Sequence, residues 1–418
     1  MRSKSNKKQA GDTKLNYLLK KLALVGTLLL GASFQVNAAD PILVGVAITQ
    51  SPPGSVVQGA QIKDALEIYR DIVNTKGGVL GRQIQLVFED SQGLPEKGRS
   101  AVEKLITKDK VVAIAGSHQS SVCLSEIEVA HRYQIPYVNT NCWADSVREK
   151  GYPEVFNTSP YNSVVAKSMA DTLKAMKVKR VVAFAENTDY GIGLAKGLGT
   201  ALKAVAPNVD YKFETLDRSS KDFTPAILTL KANPPDVVVL TMLPPGAYIA
   251  LNQLYEQGVA PTAKTIVYDG AGMADYPDFW QNVKEAGKYL MTIGMYHPEM
   301  NQTDLSRQIA VAYKRKTGND PNRLIFQAVD SLVVVVDSIR QAKSTDPAKM
   351  LAVMGTGKFE GARGTMTFDS NQGVTYHQWV NIPYVNYQLT AVNQATGNTT
   401  LLQGPGMPLN IGKLQYPK

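Results

Sequence analysis

The sequence predicts an α/β protein made of two three-layer α/β lobes, and three observations predict it. Short β-branched runs alternate with amphipathic helical stretches from residue 42 to about residue 290, the order that builds parallel sheets covered by helices. The alternation falls into two successive sets of about four or five strands, the second beginning near residue 161, with no visible sequence repeat between them. The length, 418 residues with 44% hydrophobic and 19% charged, supplies enough apolar material for about two buried cores and excludes a disordered chain.

The first 39 residues form a separate object. Arg2, Lys4, Lys7, Lys8, Lys14, Lys20 and Lys21 precede an apolar run from Leu22 to about Phe34, and Val36-Asn37-Ala38 offers small residues for cleavage. This is the pattern of a secretory signal peptide, with an apolar run too short to span a bilayer. No cysteine stands at the cleavage site to take a lipid. Once the seven basic residues and Asp12 of this segment are set aside, 38 Lys+Arg remain against 35 Asp+Glu, a net charge of about +3 rather than +9. The basic balance therefore belongs mostly to the leader and does not indicate a nucleic-acid partner.

In order, Ile42 to Ile48 reads as an interior strand, followed by a turn-rich loop with Ser51-Pro52-Pro53-Gly54-Ser55. A helix with Ile62, Ala65, Leu66, Tyr69, Ile72 and Val73 on one face ends at Gly77-Gly78. Gln83 to Phe88 is the next strand, and a helix burying Ala101, Val102, Leu105 and Ile106 leads to the strand Val111 to Ala115. The chain breaks at Gly116 into the polar loop Ser117-His118-Gln119-Ser120-Ser121, then a helix through Leu124, Ile127, Val129 and Ala130. A short strand, Ile135 to Val138, opens into Asn139-Thr140-Asn141-Cys142-Trp143. In a parallel sheet both loops leave from the C-terminal edge, where open α/β sheets bind ligands. Ser120 and Ser121 begin a helix, where free N–H groups and the dipole favour an anion; the plainer reading is an ordinary helix cap. Cys123 and Cys142 both lie here, and export permits either a disulfide or two free thiols.

The second set runs through a helix from Val164 to about Met176, the strand Val181 to Ala185, the loop Glu186 to Tyr190 and a helix with Leu194, Leu198 and Leu202. Tyr211 to Glu214, a helix from Pro225, Val237 to Met242 with the loop Leu243-Pro244-Pro245-Gly246, and Thr265 to Tyr268 with Asp269-Gly270-Ala271-Gly272 follow. From about Leu290 come a strand-like MTIGMY, helices over Asp304 to Lys316 and Gln327 to Lys343, and an alternating tail from Gly364 to Leu402. A chain that builds one lobe, then another, then returns needs several crossovers, and clefts between lobes are preferred ligand sites.

Catalytic and metal signatures are missing. His118, His131, His297 and His377 form no metal-binding spacing, and there is no nucleophile elbow or phosphate-binding loop. Gly191-Ile192-Gly193 with Gly197 approaches a dinucleotide fingerprint, but Lys196 occupies the place of the third glycine.

The leader, the start ILVGVAITQSPPGSVVQGAQIKDALEIYRDIVNTKGGVLGRQIQLVFEDS, the GSHQSS loop, IPYVNTN, ENTDYGIG and the tail GTMTFDSNQG together resemble the periplasmic leucine/isoleucine/valine-binding proteins. These are type I periplasmic binding proteins that feed ABC importers. The resemblance covers essentially the whole chain after the leader. It implies two lobes joined by three crossovers and closing over one ligand, with residues 40–158 and 293–370 in lobe 1 and 159–292 and 371–418 in lobe 2.

By position, the resemblance implies that Ser120, with Ser121 beside it, meets a ligand carboxylate. Asn141 and Trp143 offer backbone groups to carboxylate and ammonium, Cys142 lies between them, and Tyr190 closes from lobe 2. Leu243 and an acid after Tyr268, Asp269 with Gly270, complete the pocket. Cys142 and Trp143 stand where amino-acid binders carry a small residue or Thr, Leu243-Pro244-Pro245 replaces an aromatic loop, and the usual Glu falls at Gly270. These departures widen the expected ligand to a hydrophobic, branched-chain or aromatic amino acid or an aromatic carboxylate. The expectation is a monomeric periplasmic solute-binding protein without cofactor, metal or nucleic-acid partner, delivering its ligand to an ABC permease and not membrane-inserted after leader cleavage. A sensor of small amides on the same fold and a secreted α/β enzyme are the alternatives.

Overall fold

The computed structural model describes residues 40–418; the expected leader lies outside the described residues. β1 (Ile42–Ile48) is buried at every position but Leu43, as an uninterrupted apolar run demands of a strand covered on both faces. It is followed by α1 (Val56–Thr75), β2 (Ile84–Asp90), α2 (Pro95–Thr107), β3 (Ala113–Gly116), α3 (Ser120–Tyr133), β4 (Tyr137–Asn139), α4 (Ser146–Glu149) and β5 (Val155–Asn157). The strands form one parallel sheet in the order β2-β1-β3-β4-β5. Because α1 leads one way across the sheet and α2 and α3 the other, right-handed connections place them on opposite faces. Val102 and Leu105 of α2 meet Cys123 and Ile127 of α3 in the core of their face.

The second lobe repeats the scheme with α5 (Asn162–Ala175), β6 (Arg180–Glu186), α6 (Asp189–Val205), β7 (Asp210–Leu216), α7 (Thr224–Lys231), β8 (Val237–Thr241), α8 (Gly246–Glu256), β9 (Ile266–Asp269), α9 (Phe279–Val283) and β10 (Met291–Gly294). The chain then returns to the first lobe through α10 (Asp304–Thr317), α11 (Arg323–Ala342), α12 (Pro347–Thr356) and the hairpin of β11 (Phe359–Gly361) and β12 (Gly364–Met366). α10 and α11 pack on α1, and α11 also lies against β3 and β4. β13 (Val385–Gln388) and β14 (Thr400–Gln403) finally add to the second sheet as antiparallel edge strands, giving the order β14-β13-β10-β9-β8-β6-β7. The chain thus crosses between lobes three times: after β5, after β10 and before β13. Among the described residues no helix is long and apolar enough to cross a membrane.

Three boundaries differ from the sequence reading. Residues 371–379, assigned there to lobe 2, run along the edge of the first sheet. Asn157 accepts from the Trp379 N–H at 3.0 Å and donates to the His377 carbonyl at 2.9 Å, and the His377 ring stacks on Phe156. Conversely, residues 293–294, assigned there to lobe 1, are the end of β10 and pair within the second sheet. The helix expected from Gln327 starts a turn earlier, because Asn322 Oδ1 accepts the N–H groups of Leu324 and Ile325, a side-chain cap. That turn brings Arg323 into α11, which buries 16 of its 20 residues and so is a central rather than a surface helix.

Buried Arg148 organises the crossovers. Its Nη1 donates to the carbonyls of Cys142 at 2.8 Å and Ala144 at 3.1 Å, its Nη2 to Pro160 at 2.9 Å, and its Nε to Gln378 Oε1 at 2.8 Å. One side chain therefore ties the loop after β4 to the first and third crossings.

Candidate functional site

In each sheet the strand order reverses once, between β1 and β3 and between β6 and β8, and such reversals open a crevice beyond the strands' C-terminal ends. A narrow, nearly filled cavity lies there, lined by His118, Ser120, Asn141, Trp143, Tyr190, Leu243, Ala271 and Arg323. His118 and Ser120 follow β3, Asn141 and Trp143 follow β4, and Tyr190, Leu243 and Ala271 follow β6, β8 and β9. Arg323 comes from the first turn of α11.

Ser120 stands in the first turn of α3, whose N-cap residue Gln119 makes no side-chain cap bond. Ser120 Oγ accepts from the backbone N–H of Trp143 at 3.1 Å and of Ala144 at 3.0 Å. Both lone pairs are then taken, so the hydroxyl proton is the group left for a ligand acceptor. Asn141 is oriented in the same way. Its Oδ1 accepts from Trp143 Nε1 at 2.7 Å and from Arg323 Nη1 at 3.2 Å, which fixes the amide and leaves the NH₂ as the donor pair. The expected backbone roles change accordingly. The Trp143 N–H is bound to Ser120, and the Asn141 N–H donates to the Ser117 carbonyl at 3.2 Å. Side chains, not these two amides, present the donors.

Trp143 packs edge-on to Tyr190 with centroids 5.9 Å apart and lies under the Arg323 guanidinium at 5.2 Å. Tyr190 donates to the Gly270 carbonyl at 3.1 Å, and burial raises its phenol well above its ordinary value, so it stays neutral.

Arg323 is the charged side chain of the cavity. Its Nη2 donates to the Ala271 carbonyl and, at 3.2 Å, to Tyr276 Oη; its Nε lies 3.4 Å from Asp275 Oδ2. Burial disfavours the guanidinium, but Tyr276, Asp275 and Asp269 around it raise its pKa. The cation is fixed there at any ordinary pH.

Asp269 does not line the cavity. Its carboxylate accepts from Ala271 N–H at 2.8 Å, Met273 N–H at 2.6 Å and Thr292 Oγ1 at 2.7 Å, so it braces its own loop. Burial pushes it up to about 6 against those bonds. Gly270 contributes only the carbonyl that Tyr190 holds. Ser121 points to the cleft rim, where its Oγ donates to Asp189 Oδ2 at 2.7 Å. Cys142 is bonded to Cys123, with Cα atoms 6.4 Å apart, and does not line the cavity.

The sequence reading placed Ser120, Asn141, Trp143, Tyr190 and Leu243 among the site residues, and these share the cavity. It missed His118, Ala271 and Arg323. His118 sits two residues before Ser120 in the same polar loop and Ala271 two after Asp269, so proximity was the available signal. Arg323 lies 182 residues from Asn141, which it contacts, and carries no local signature.

Comparison with known proteins agrees with this architecture. Residues 41–383 match the family described as periplasmic binding protein. The Leu/Ile/Val-binding protein homolog 7 of Brucella melitensis is 27% identical over 374 residues, covering 83% of this chain and 89% of that protein. Among solved structures, a leucine-binding protein from Thermotoga maritima superposes with a TM-score of 0.77 at 22% identity, covering 89% of this chain and 100% of that one. A solute-binding protein of an ABC transporter from Rhodopseudomonas palustris, in complex with 3,4-dihydroxybenzoic acid, gives 0.75 at 18% identity, with 88% and 96% covered. These proteins bind solutes rather than transform them, and with two α/β lobes, three crossings and a cavity between them this chain belongs to the periplasmic binding protein family.

Proposed function

We propose that this protein captures a small carboxylate without an α-ammonium group, an aromatic or branched aliphatic acid, in the periplasm and hands it to an ABC importer. The observation that carries the reading is the place of Arg323. Its guanidinium takes the Ala271 carbonyl, Tyr276 Oη and a face of Asp275, the lobe-2 acceptors that a ligand ammonium would need. Among the described residues no carboxylate side chain lines the cavity, and Asp269 is spent on its own loop. The groups left to a ligand are the Ser120 hydroxyl and the Asn141 NH₂, both suited to a carboxylate, while Arg323, whose Nη hydrogens are held by Asn141, Gln327, Ala271 and Tyr276, adds its positive charge to the site. Trp143, Tyr190 and Leu243 supply the apolar walls. The exported location rests on the expected leader, and the monomeric state and the permease on the resemblance of the sequence.

Matched pairs test the reading: phenylalanine against 3-phenylpropanoate, leucine against 4-methylpentanoate, and benzoate alone. A ligand at 100 times its dissociation constant adds about 2.7 kcal/mol of stability, readable as a thermal shift. The deaminated acids are expected to shift the transition and the amino acids not. The reverse pattern would return the site to the branched-chain amino acids for which the Brucella relative is named. Arg323→Met should weaken acid binding by roughly 2 kcal/mol or more, about thirtyfold in Kd.

A further inference from the structure

One polar group in the cavity is not used by a simple carboxylate. His118 is 4% exposed and lines the cavity; one ring N–H leans toward the Ser55 backbone, and no other protein group pairs with its ring nitrogens. A buried polar side chain is ordinarily paired, so a ring that lines the cavity with a nitrogen unpaired is open to a ligand group. Burial, reinforced by the charge of Arg218, lowers its pKa to about 4. It is therefore a neutral imidazole, with one N–H and one bare nitrogen.

We propose that His118 reads a hydroxyl group on the ligand, which makes the preferred solute a hydroxylated aromatic carboxylate. This rests on the carboxylate reading above. The carboxylate is met by the Ser120 hydroxyl and the Asn141 NH₂ beside the charge of Arg323, which leaves His118 for a second substituent. A hydroxyl can accept from the imidazole N–H or donate to its bare nitrogen, whichever faces the cavity. Trp143 and Tyr190, packed edge-on beside these groups, give the site aromatic surface suited to a ring. A site built to bond a hydroxyl rejects the analogue that lacks it, because the protein group is then buried unpaired.

The test is calorimetric titration of the protein with benzoate and with 2-, 3- and 4-hydroxybenzoate, repeated on His118→Phe and His118→Gln. At least one hydroxybenzoate is expected to bind the unaltered protein about tenfold or more tighter than benzoate. That advantage should shrink to within about threefold in His118→Phe and recover in part in His118→Gln, whose amide can still pair. If benzoate and all three hydroxybenzoates bind the unaltered protein within about threefold of one another, the role of His118 is overturned while the carboxylate reading stands, and that comparison needs no variant. An advantage that survives in His118→Phe overturns it equally. Leucine binding with no binding of any benzoate would overturn both.

Discussion

Glu126 of α3 is fully buried beneath the ligand loops and accepts from the Tyr137 hydroxyl at 2.6 Å. Burial pushes its carboxyl up from 4.5 to about 7. The folded protein therefore keeps a proton that the unfolded chain releases near 4.5. Stability from this group is present below that value and is lost as pH rises through about 7. The gap corresponds to on the order of 3 kcal/mol. Glu126→Gln keeps the acceptor for Tyr137 without the charge. We expect urea unfolding to find the variant more stable than the unaltered protein at pH 8, with the difference gone by pH 4.5. His118 and His377, both lowered to about 4 chiefly by burial, impose the opposite slope between about 4 and 6.5. They are common to both proteins and cancel in the difference.

Helix α3 is held to the site loop by two devices, the Ser120 hydroxyl on the amides of Trp143 and Ala144 and the Cys123–Cys142 bond. The bond closes a loop of 19 residues' separation, for which chain entropy predicts about 3 kcal/mol. The double variant Cys123→Ser, Cys142→Ser should lower the unfolding free energy by about that amount. If the bond also positions the loop, ligand affinity should fall about tenfold, as 1.4 kcal/mol of lost pre-organisation implies; an unchanged Kd would make it a staple only. In the other lobe, the glycines of α6 have a packing role. A Cβ on Gly191 would collide with the Glu186 and Thr241 carbonyl oxygens, and one on Gly193 would come within 2.7 Å of Asn162 Nδ2. The motif that resembled a dinucleotide turn exists to let helix, strand and neighbouring helix approach.

Across the whole molecule, the lobes meet through polar contacts around the cavity. Gln58 donates to Tyr276 Oη, Asn322 Nδ2 to the Asp275 carbonyl at 2.7 Å, and Ser121 Oγ to Asp189. Polar interfaces of this kind permit relative lobe motion. Asp189→Ala removes only the exposed rim contact, so stopped-flow release should quicken while the unfolding free energy changes by less than about 1 kcal/mol. Arg148, by contrast, joins the site loop to two crossings and would not be separable from folding.

The sequence by itself determined the two β/α sets, their order, and the loops after β3 and β4 as an edge where ligands bind. Those features follow from local periodicity and from the fixed handedness of βαβ units, both written in consecutive residues. The resemblance to the leucine/isoleucine/valine-binding proteins also named Ser120, Asn141, Trp143, Tyr190 and Leu243 by position. Tertiary structure alone decided which hydrogen-bonding groups remain free. Ser120 and Asn141 have their acceptors filled by neighbours, Asp269 is consumed by its own loop, and Arg323 arrives from a helix 182 residues beyond Asn141. A site's chemistry is what is left after the fold has paired its own polar groups, and those pairings span distances along the chain that no local pattern encodes.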